Sequence, residues 1–231
     1  MKKITTSFLF ALCIFVNGQA NFSLSNNGLG LPQDNAILHK VNSPNAGISI
    51  SYSDIQGTPY YGKGLSVATF SGTDETAPAR YNAYKDEIEF IKDDKTFVLP
   101  KNDKLSVITF TTTKETLVYL NTSDDLSGYF FEVVDGKHSL YKKVKIKFID
   151  AVIATNSYAT DRPASFKSTA PIYYIRIDNS NFIKNPKNHK DILQAFPDKK
   201  ENISAFLKEN KIKVDKEEDL KKLVKFLNEN S

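Results

Sequence analysis

Tryptophan is absent from the 231-residue chain, and cysteine occurs once, at Cys13. Beyond its first 20 residues the chain therefore has no thiol nucleophile, no disulfide and no cysteine-based zinc or iron–sulfur site. It also lacks the tryptophan that would form the best stacking platform for a sugar. The chemistry that remains is that of carboxylates, amines, hydroxyls and the many tyrosine and phenylalanine side chains.

Long hydrophobic runs are missing as well. No segment reaches the roughly 18 consecutive apolar residues of a membrane-spanning helix. The apolar run at 8–16 follows Lys2 and Lys3 and precedes Gly18 and Ala20. This order of charged, apolar and small residues is typical of a secretory signal peptide.

We therefore predict a removable signal peptide over residues 1–20. The protein is then exported, to the periplasm, the outer membrane or the cell exterior. A buried N-terminal helix is the alternative interpretation of the same run. Lipid attachment at Cys13 is disfavoured because Leu12 occupies the position where a small residue is expected.

The charge balance is close to neutral. The formal net charge is +4, and removal of Lys2 and Lys3 lowers it to +2. This is too small for a nucleic-acid partner, which requires a strongly basic surface. A remaining chain of about 210 residues is long enough to fold by burial alone, without disulfides.

Two-residue alternation of apolar and polar side chains dominates the middle of the chain. After a flexible lead-in at 21–45, rich in Asn, Ser, Gly and Pro, we predict an antiparallel β domain over 46–180. The predicted strands are 46–52, 64–70, 80–91, 96–99, 105–110, 116–120, 128–134, 137–149 and 171–177, the last of the sheet. Residues 150–170 are predicted to form a long connecting loop.

The strongest hairpin pattern is Gly128–Val134, followed by Asp135 and Gly136, followed by 137–149. On the second strand Lys143, Lys145 and Lys147 alternate with apolar residues. One face of this strand would therefore pack in the core, and the other would face solvent. A row of three ammonium groups suggests an anion-binding surface. The alternative is an outer strand that uses lysine to resist aggregation.

The C-terminal segment, 181–231, changes to helical spacing. Apolar residues recur every three or four positions over 188–229, which predicts two or three amphipathic helices packed on the sheet. Asp198 with Glu201, and Asp215 with Glu218, resemble capping boxes at two helix starts.

No pattern for catalysis, a cofactor or a metal ion stands out. The three histidines, His39, His138 and His189, have no ligand at metal-binding spacing, and we interpret them as surface residues. We predict no cofactor, no metal site and no catalytic residue, and lean away from an enzyme.

Three acidic residues keep one enzymatic alternative open. Asp86, Glu87 and Glu89 lie in the predicted strand 80–91 and could serve an envelope polysaccharide hydrolase, which uses paired carboxylates. A solvated strand face with ion pairs to Arg80 or Lys85 is the simpler interpretation.

Aromatic side chains point to a binding role. The strands 128–134 and 171–177 carry aromatic residues on both faces, which indicates burial between sheet and helices or the lining of an apolar cavity. The candidate ligand-binding residues are Arg80, Tyr81, Tyr84, Tyr129, Phe131 and Tyr174. The loop 150–170 would complete the site.

Three stretches resemble a group of exported Bacteroidota proteins of unknown function. They are 80–90 (RYNAYKDEIEF), 128–136 (GYFFEVVDG) and the lysine-rich tail 219–228 (DLKKLVKFLN). The resemblance extends over most of the chain except 21–60, which differs from the leading segment of that group. It implies an envelope or secreted location in a Gram-negative cell and no particular activity.

We predict an α+β fold: an antiparallel β-meander of about 8–10 strands, curved or partly closed into a barrel, with two or three C-terminal helices. The preferred function is non-enzymatic binding of a lipid or other apolar or amphiphilic ligand, or of a cell-envelope partner. The alternatives are the polysaccharide hydrolase and a structural protein–protein interaction module.

Overall fold

The structure is a computed structural model that describes residues 31–32, 36–38, 49–101, 106–154, 158, 160–178 and 181–230. The predicted signal peptide lies outside these residues, as does most of the predicted lead-in. Within the described part, no helix combines the length and the apolar character needed to cross a bilayer.

A large antiparallel sheet with C-terminal helices confirms the α+β class. Its eleven strands are β1 (Leu31–Pro32), β4 (Ser66–Phe70), β5 (Thr76–Asn82), β6 (Glu87–Lys92), β7 (Lys95–Val98), β8 (Val107–Phe110), β9 (Thr116–Leu120), β10 (Gly128–Val134), β11 (Ser139–Lys143), β14 (Ile172–Arg176) and β15 (Phe182–Lys184). Two small sheets pair β2 (Ala36–Leu38) with β3 (Ser49–Ser51) and β12 (Ile146–Ile149) with β13 (Ser165–Ser168).

The large sheet is open and consists of two meanders. Its strand order is β1-β7-β6-β5-β4-β8-β9-β10-β11-β14-β15, so β1 and β15 form its edges. The second meander begins beside β4 and not beside β7. The sheet exceeds the predicted strand count and is not closed into a barrel.

Two of the predicted strands are each divided in the structure. The segment 80–91 contains the turn between β5 and β6, because Asp86 adopts a positive φ of 58° that no extended strand has. The segment 137–149 ends its first strand at Lys143. Its continuation, β12, leaves the large sheet and pairs with β13, so the predicted loop 150–170 contains a strand.

The helices are α1 (His189–Ala195), α2 (Lys200–Glu209) and α3 (Glu217–Glu229). Strand β15 precedes them, so the predicted last strand, 171–177, is not the last. The predicted capping boxes are also wrong. Instead, Asn188 caps α1 by accepting hydrogen bonds from the backbone N–H groups of Lys190 and Asp191, and α2 and α3 have no side-chain cap.

The helices bury their apolar stripes against one face of β11 and β14. Leu220, Leu223 and Val224 of α3 have no exposed surface and share one core with Leu140 and Ile175 of the strands. Because consecutive strand residues face opposite sides, Tyr173 belongs to this core while Tyr174 joins a smaller cluster on the other face. A third core, built around β4, β5, β6 and β10, fills the rest of the fold.

Candidate functional site

A cavity of about 480 Å³ opens at the N-terminal end of β4. One wall is the segment that leads into β4, residues 60–65, which we call the strap. The opposite wall is the turn between β8 and β9, residues 111–115, which we call the β8–β9 turn. Arg80, Tyr81 and Phe110 of the intervening strands complete the lining.

The strap follows the end of β5 before it turns into β4. The backbone N–H of Tyr61 donates to the carbonyl of Tyr81 at 2.9 Å, and Tyr60 forms an isolated bridge with Asn82. Gly62 and Gly64 then take φ angles of 80° and 132°. Such angles are readily accessible only to glycine, and they allow the strap to reverse direction beside the cavity.

The cavity has an apolar interior. Tyr81 and Phe110 are buried. Behind them Phe131 packs against Tyr61, with ring centroids 4.4 Å apart, and against Tyr81 at 5.8 Å. At the rim, Leu65 is 44% and Val67 45% exposed, which is unusual for large aliphatic side chains next to a cavity.

Polar groups enter this apolar lining at defined positions. The Tyr61 hydroxyl donates to Glu115 Oε1 at 2.9 Å, from one wall to the other. Burial, together with this hydrogen bond, raises the pKa of Tyr61 to about 12, so its proton stays in place at physiological pH. Ser66 is also among the lining residues, but its Oγ is fully buried beneath the cavity surface, without a hydrogen-bond partner among the described residues.

An ion pair with Glu89 fixes the guanidinium of Arg80. Its Nε and Nη2 atoms lie 2.8 and 2.7 Å from Oε2 of Glu89, which is completely buried. Asn82 Nδ2 donates to the other carboxylate oxygen of Glu89 at 2.8 Å. The ring of Tyr60 lies 3.7 Å from the guanidinium carbon, a cation–π contact that helps fix the side chain.

The structure separates the six predicted ligand-binding residues. Arg80 and Tyr81 line the cavity, and Phe131 supports its aromatic floor. Tyr84 packs against Phe166 of β13 instead. Tyr129 and Tyr174 are each 1% exposed and lie in other parts of the core. The loop 150–170 is not among the cavity-lining segments.

Sequence reasoning missed the strap and the β8–β9 turn. Tyr61, Ser66, Phe110 and Glu115 are all lining residues although they belong to two separate stretches of the chain, 61–67 and 110–115. The pair of glycines around Lys63 was the one available indication, because two glycines at this spacing permit an irregular path. A contact such as Tyr61 with Glu115, 54 positions apart, depends on the strand order.

Asp86 organises a second polar cluster next to the cavity floor. Its carboxylate lies 2.8 Å from Lys143 Nζ and 3.3 Å from Lys101 Nζ, and accepts a hydrogen bond from the Tyr81 hydroxyl at 2.7 Å. A Cβ atom on Gly128 would lie 1.8 Å from Asp86 Oδ2, so this position requires glycine.

The predicted row of lysines does not form. Lys143 is 3% exposed, and burial lowers its pKa although the contact with Asp86 opposes the shift. Lys145 lies between β11 and β12, and Lys147 is exposed on β12 in a different sheet. A buried lysine already paired with a carboxylate has no free charge to offer an anion at the surface.

The three strand carboxylates also have separate roles. Glu89 is buried with Arg80, which confirms the predicted ion pair but corrects the predicted solvated face. Asp86 is paired with Lys143, and burial raises the pKa of Glu87. None of the three is among the cavity-lining residues; the carboxylate found there is that of Glu115.

His138 is buried and not at the surface as expected. Its ring packs edge-on against Phe196 at 5.2 Å, and burial lowers its pKa. His189 contacts the carbonyl of Ile212 at 2.7 Å, and His39 lies outside the described residues. Across the described residues, no three His, Cys, Asp or Glu side chains form a cluster suited to a metal ion.

Comparison with known proteins identifies no relative. No protein-family model, curated protein or solved structure matches this chain. The geometry of the cavity is therefore the basis for inferring a function.

Proposed function

We propose that the protein binds a small amphiphilic molecule in the cavity between the strap and the β8–β9 turn. The observation that carries this proposal is the lining: an aromatic and aliphatic interior bordered by the Arg80 side chain and the Tyr61–Glu115 hydrogen bond. Ligand sites typically combine about 300–1,000 Å³ of mainly apolar space with a few placed polar groups. The cavity, at about 480 Å³, falls within that range.

Two features of the lining suggest how such a ligand lies. Leu65 and Val67 expose apolar surface at the rim, which would lose contact with water when a hydrocarbon group covers it. Arg80, Tyr61 and Glu115 bring polar groups to the same lining. A polar group on the ligand would face these side chains while its apolar part rests on Tyr81 and Phe110.

The lining favours binding over hydrolysis. Glycoside hydrolysis uses two carboxyl groups that flank the scissile bond. Glu115 is the acidic residue among those that line the cavity, and its Oε1 accepts the hydrogen bond of Tyr61. Asp86 and Glu89 lie outside the lining and are paired with Lys143 and Arg80.

We further propose that this binding takes place outside the cytoplasm, in the periplasm or at the outer membrane. The support is the order of charged, apolar and small residues over positions 1–20. N-terminal sequencing of the protein recovered from the envelope or medium tests this directly. The expected mature chain begins at Asn21; recovery of the intact chain in the cytoplasm would refute it.

The binding proposal is tested by titration with the fluorescent amphiphile anilinonaphthalene sulfonate. We expect saturable binding with one site per chain. Val67→Glu should weaken it about tenfold or more, because a carboxylate at the rim resists contact with an apolar group. The matched control is Val107→Glu on the neighbouring strand, where a 36% exposed valine lies outside the lining.

The two variants make the result specific. If both bind the probe like the wild-type protein, the cavity is not the binding site. If both lose binding equally, surface charge and not the cavity controls the interaction.

A further inference from the structure

The hydrogen bond between Tyr61 and Glu115 joins the two walls of the cavity. Tyr61 belongs to the strap and Glu115 ends the β8–β9 turn, and both line the cavity. At 2.9 Å, from a phenol to a carboxylate, this is a charge-assisted bond of the stronger kind. A molecule that passes between the walls at this point has to separate these two groups.

The strap is anchored by backbone hydrogen bonds up to Tyr61 and contains two glycines directly after it. On the N-terminal side of Tyr61, Pro59 accepts a hydrogen bond from the Tyr84 N–H at 3.2 Å, and the Tyr61 N–H is itself bonded to Tyr81. On the C-terminal side, Gly62 and Gly64 have positive φ angles. Space is open around both glycines, since a Cβ atom at either would meet nothing within 4 Å.

Two contacts define the position of the Tyr61 ring. It rests on Phe131, which is buried, with the planes tilted by 48°. The ring therefore has one apolar contact below and one polar contact across the cavity. Without the polar contact, the packing on Phe131 is the contact that remains to hold the ring.

We propose that Tyr61 is the gate of the cavity and that Glu115 is its latch. The proposal rests on the proposed binding function, and it identifies the residue that controls how fast a ligand enters and leaves. In the closed state the strap is fixed to the β8–β9 turn by the Tyr61–Glu115 hydrogen bond. In the open state the strap moves about Gly62 and Gly64, and the ligand passes beneath it.

The first test needs no ligand. Lys63 lies in the centre of the strap and is exposed, so trypsin cleavage after Lys63 reports on strap opening. Tyr61→Phe keeps the ring on Phe131 but removes the hydroxyl. We expect this variant to be cleaved after Lys63 about tenfold faster than the wild-type protein, the effect of losing one charge-assisted hydrogen bond.

The second test measures stopped-flow binding and release of anilinonaphthalene sulfonate. In Tyr61→Phe both rate constants should rise by a similar factor of about tenfold, with the dissociation constant changed by less than about threefold. A residue that merely contacts the ligand would change the dissociation rate alone. Glu115→Ala should reproduce Tyr61→Phe, and the double variant should add little to either.

Two controls separate the gate from general loosening. Thr109→Val removes the side-chain hydrogen bond to Thr116 between β8 and β9, outside the cavity lining, and leaves the Tyr61–Glu115 bond intact, so cleavage and binding rates should match the wild-type protein. Glu115→Gln keeps an acceptor for the Tyr61 hydroxyl and should lie between the wild-type protein and Glu115→Ala.

The outcomes distinguish the two proposals. If the wild-type protein binds the probe but Tyr61→Phe leaves cleavage and rates unchanged, the gate is refuted and the binding function stands. If cleavage after Lys63 accelerates while neither protein binds the probe, the latch is real but the binding function, and with it the gating role, is refuted.

Discussion

Near one edge of the large sheet three helices cover β11 and β14, which we call the helical end. Near the middle of the strand order a short strap lies beside β4 and β5, which we call the cavity end. The helical end has a closed core: Leu220 and Leu223 of α3 have no exposed surface. The cavity end keeps about 480 Å³ of space and leaves Leu65 and Val67 nearly half exposed. The same sheet is thus covered by three helices in one region and by the short strap in the other.

This difference separates stability from function. Burial of apolar surface is the main source of folding free energy, and at the helical end the chain supplies every partner. At the cavity end the rim side chains Leu65 and Val67 stay partly exposed, and the proposed ligand would cover them. Substitutions at the two ends should therefore have opposite signatures in stability and in binding.

The largest effect on stability is expected from Leu223→Ala in α3. Loss of a fully buried leucine costs about 2–5 kcal/mol through lost burial and the cavity left behind. Leu65→Ala is the matched control at the cavity end and should cost less than about 1 kcal/mol, since 44% of this side chain is already exposed. Urea unfolding measures both.

Probe binding should show the reverse order. Leu65→Ala should weaken binding of anilinonaphthalene sulfonate, while Leu223→Ala should leave it unchanged at temperatures where the variant stays folded. Equal costs for the two substitutions would contradict the distinction between the ends.

The helical tail itself can be deleted as a further test. If the tail served only as an interaction module, its removal would leave the sheet folded. We expect removal of residues 198–231 to unfold the sheet.

The next effect concerns the connection between the two ends. Lys143 of β11 reaches Asp86 in the turn between β5 and β6, at 2.8 Å. Lys143→Met should cost about 2–4 kcal/mol, because it leaves the Asp86 carboxylate without its buried partner, although Lys101 compensates in part.

Lys147→Met is the control for this substitution. Lys147 is exposed, so its replacement should change the unfolding free energy by no more than about 0.5 kcal/mol. Similar costs for both lysines would mean that the pair with Asp86 contributes nothing to the connection.

The smallest effect is a pH dependence confined to the helical end. Partial burial raises the pKa of Glu217, but hydrogen bonds from Lys142, Lys221 and Tyr173 outweigh it and hold the pKa below its usual value of 4.5. The folded state thus binds the proton less tightly than the unfolded state. The resulting stability is present above pH 4.5 and is lost as the pH falls through the lowered folded-state pKa.

Unfolding free energies between pH 7 and pH 3 test this contribution. Glu217→Gln should reduce the loss of stability on acidification by less than about 1 kcal/mol, since the group is partly exposed. Probe binding at the cavity end should be unaffected by the substitution. If the acid-induced loss of unfolding free energy is the same in Glu217→Gln, Glu217 does not contribute to the pH dependence.

Local patterns were sufficient to predict much of the fold. Gly128–Val134 and Thr116–Leu120 agree with β10 and β9 at both ends, because each alternates or carries β-branched and aromatic residues and is bounded by turn residues. The helical tail was recognised for the same reason: its apolar residues recur at helical spacing.

The predictions that were wrong depend on long-range contacts. The alternation of side chains predicted that Lys143 faces solvent. In the structure Lys143 is buried, and it pairs with the carboxylate of Asp86, 57 positions earlier in the chain. That contact requires the positive φ of Asp86 and the missing side chain of Gly128 at once. No local pattern indicates such a coincidence.

The cavity could not be predicted from the sequence, for a related reason. Arg80 and Tyr81, selected as aromatic or charged residues in a β segment, do line the cavity. Their partners in the lining, from the strap and the β8–β9 turn, come together only because β8 pairs with β4 and not with β7. Strand order of this kind is not encoded in the periodicity of a single segment.

The most direct measurement of the central claim is mass spectrometry of organic extracts from the protein purified out of its native envelope. Binding at the cavity predicts that the wild-type protein releases an amphiphilic molecule, up to one per chain, and that Val67→Glu releases far less while Val107→Glu matches the wild-type protein. Equal release from Val67→Glu and the wild-type protein, or extracts free of any amphiphile together with a failure to bind the probe, would contradict it.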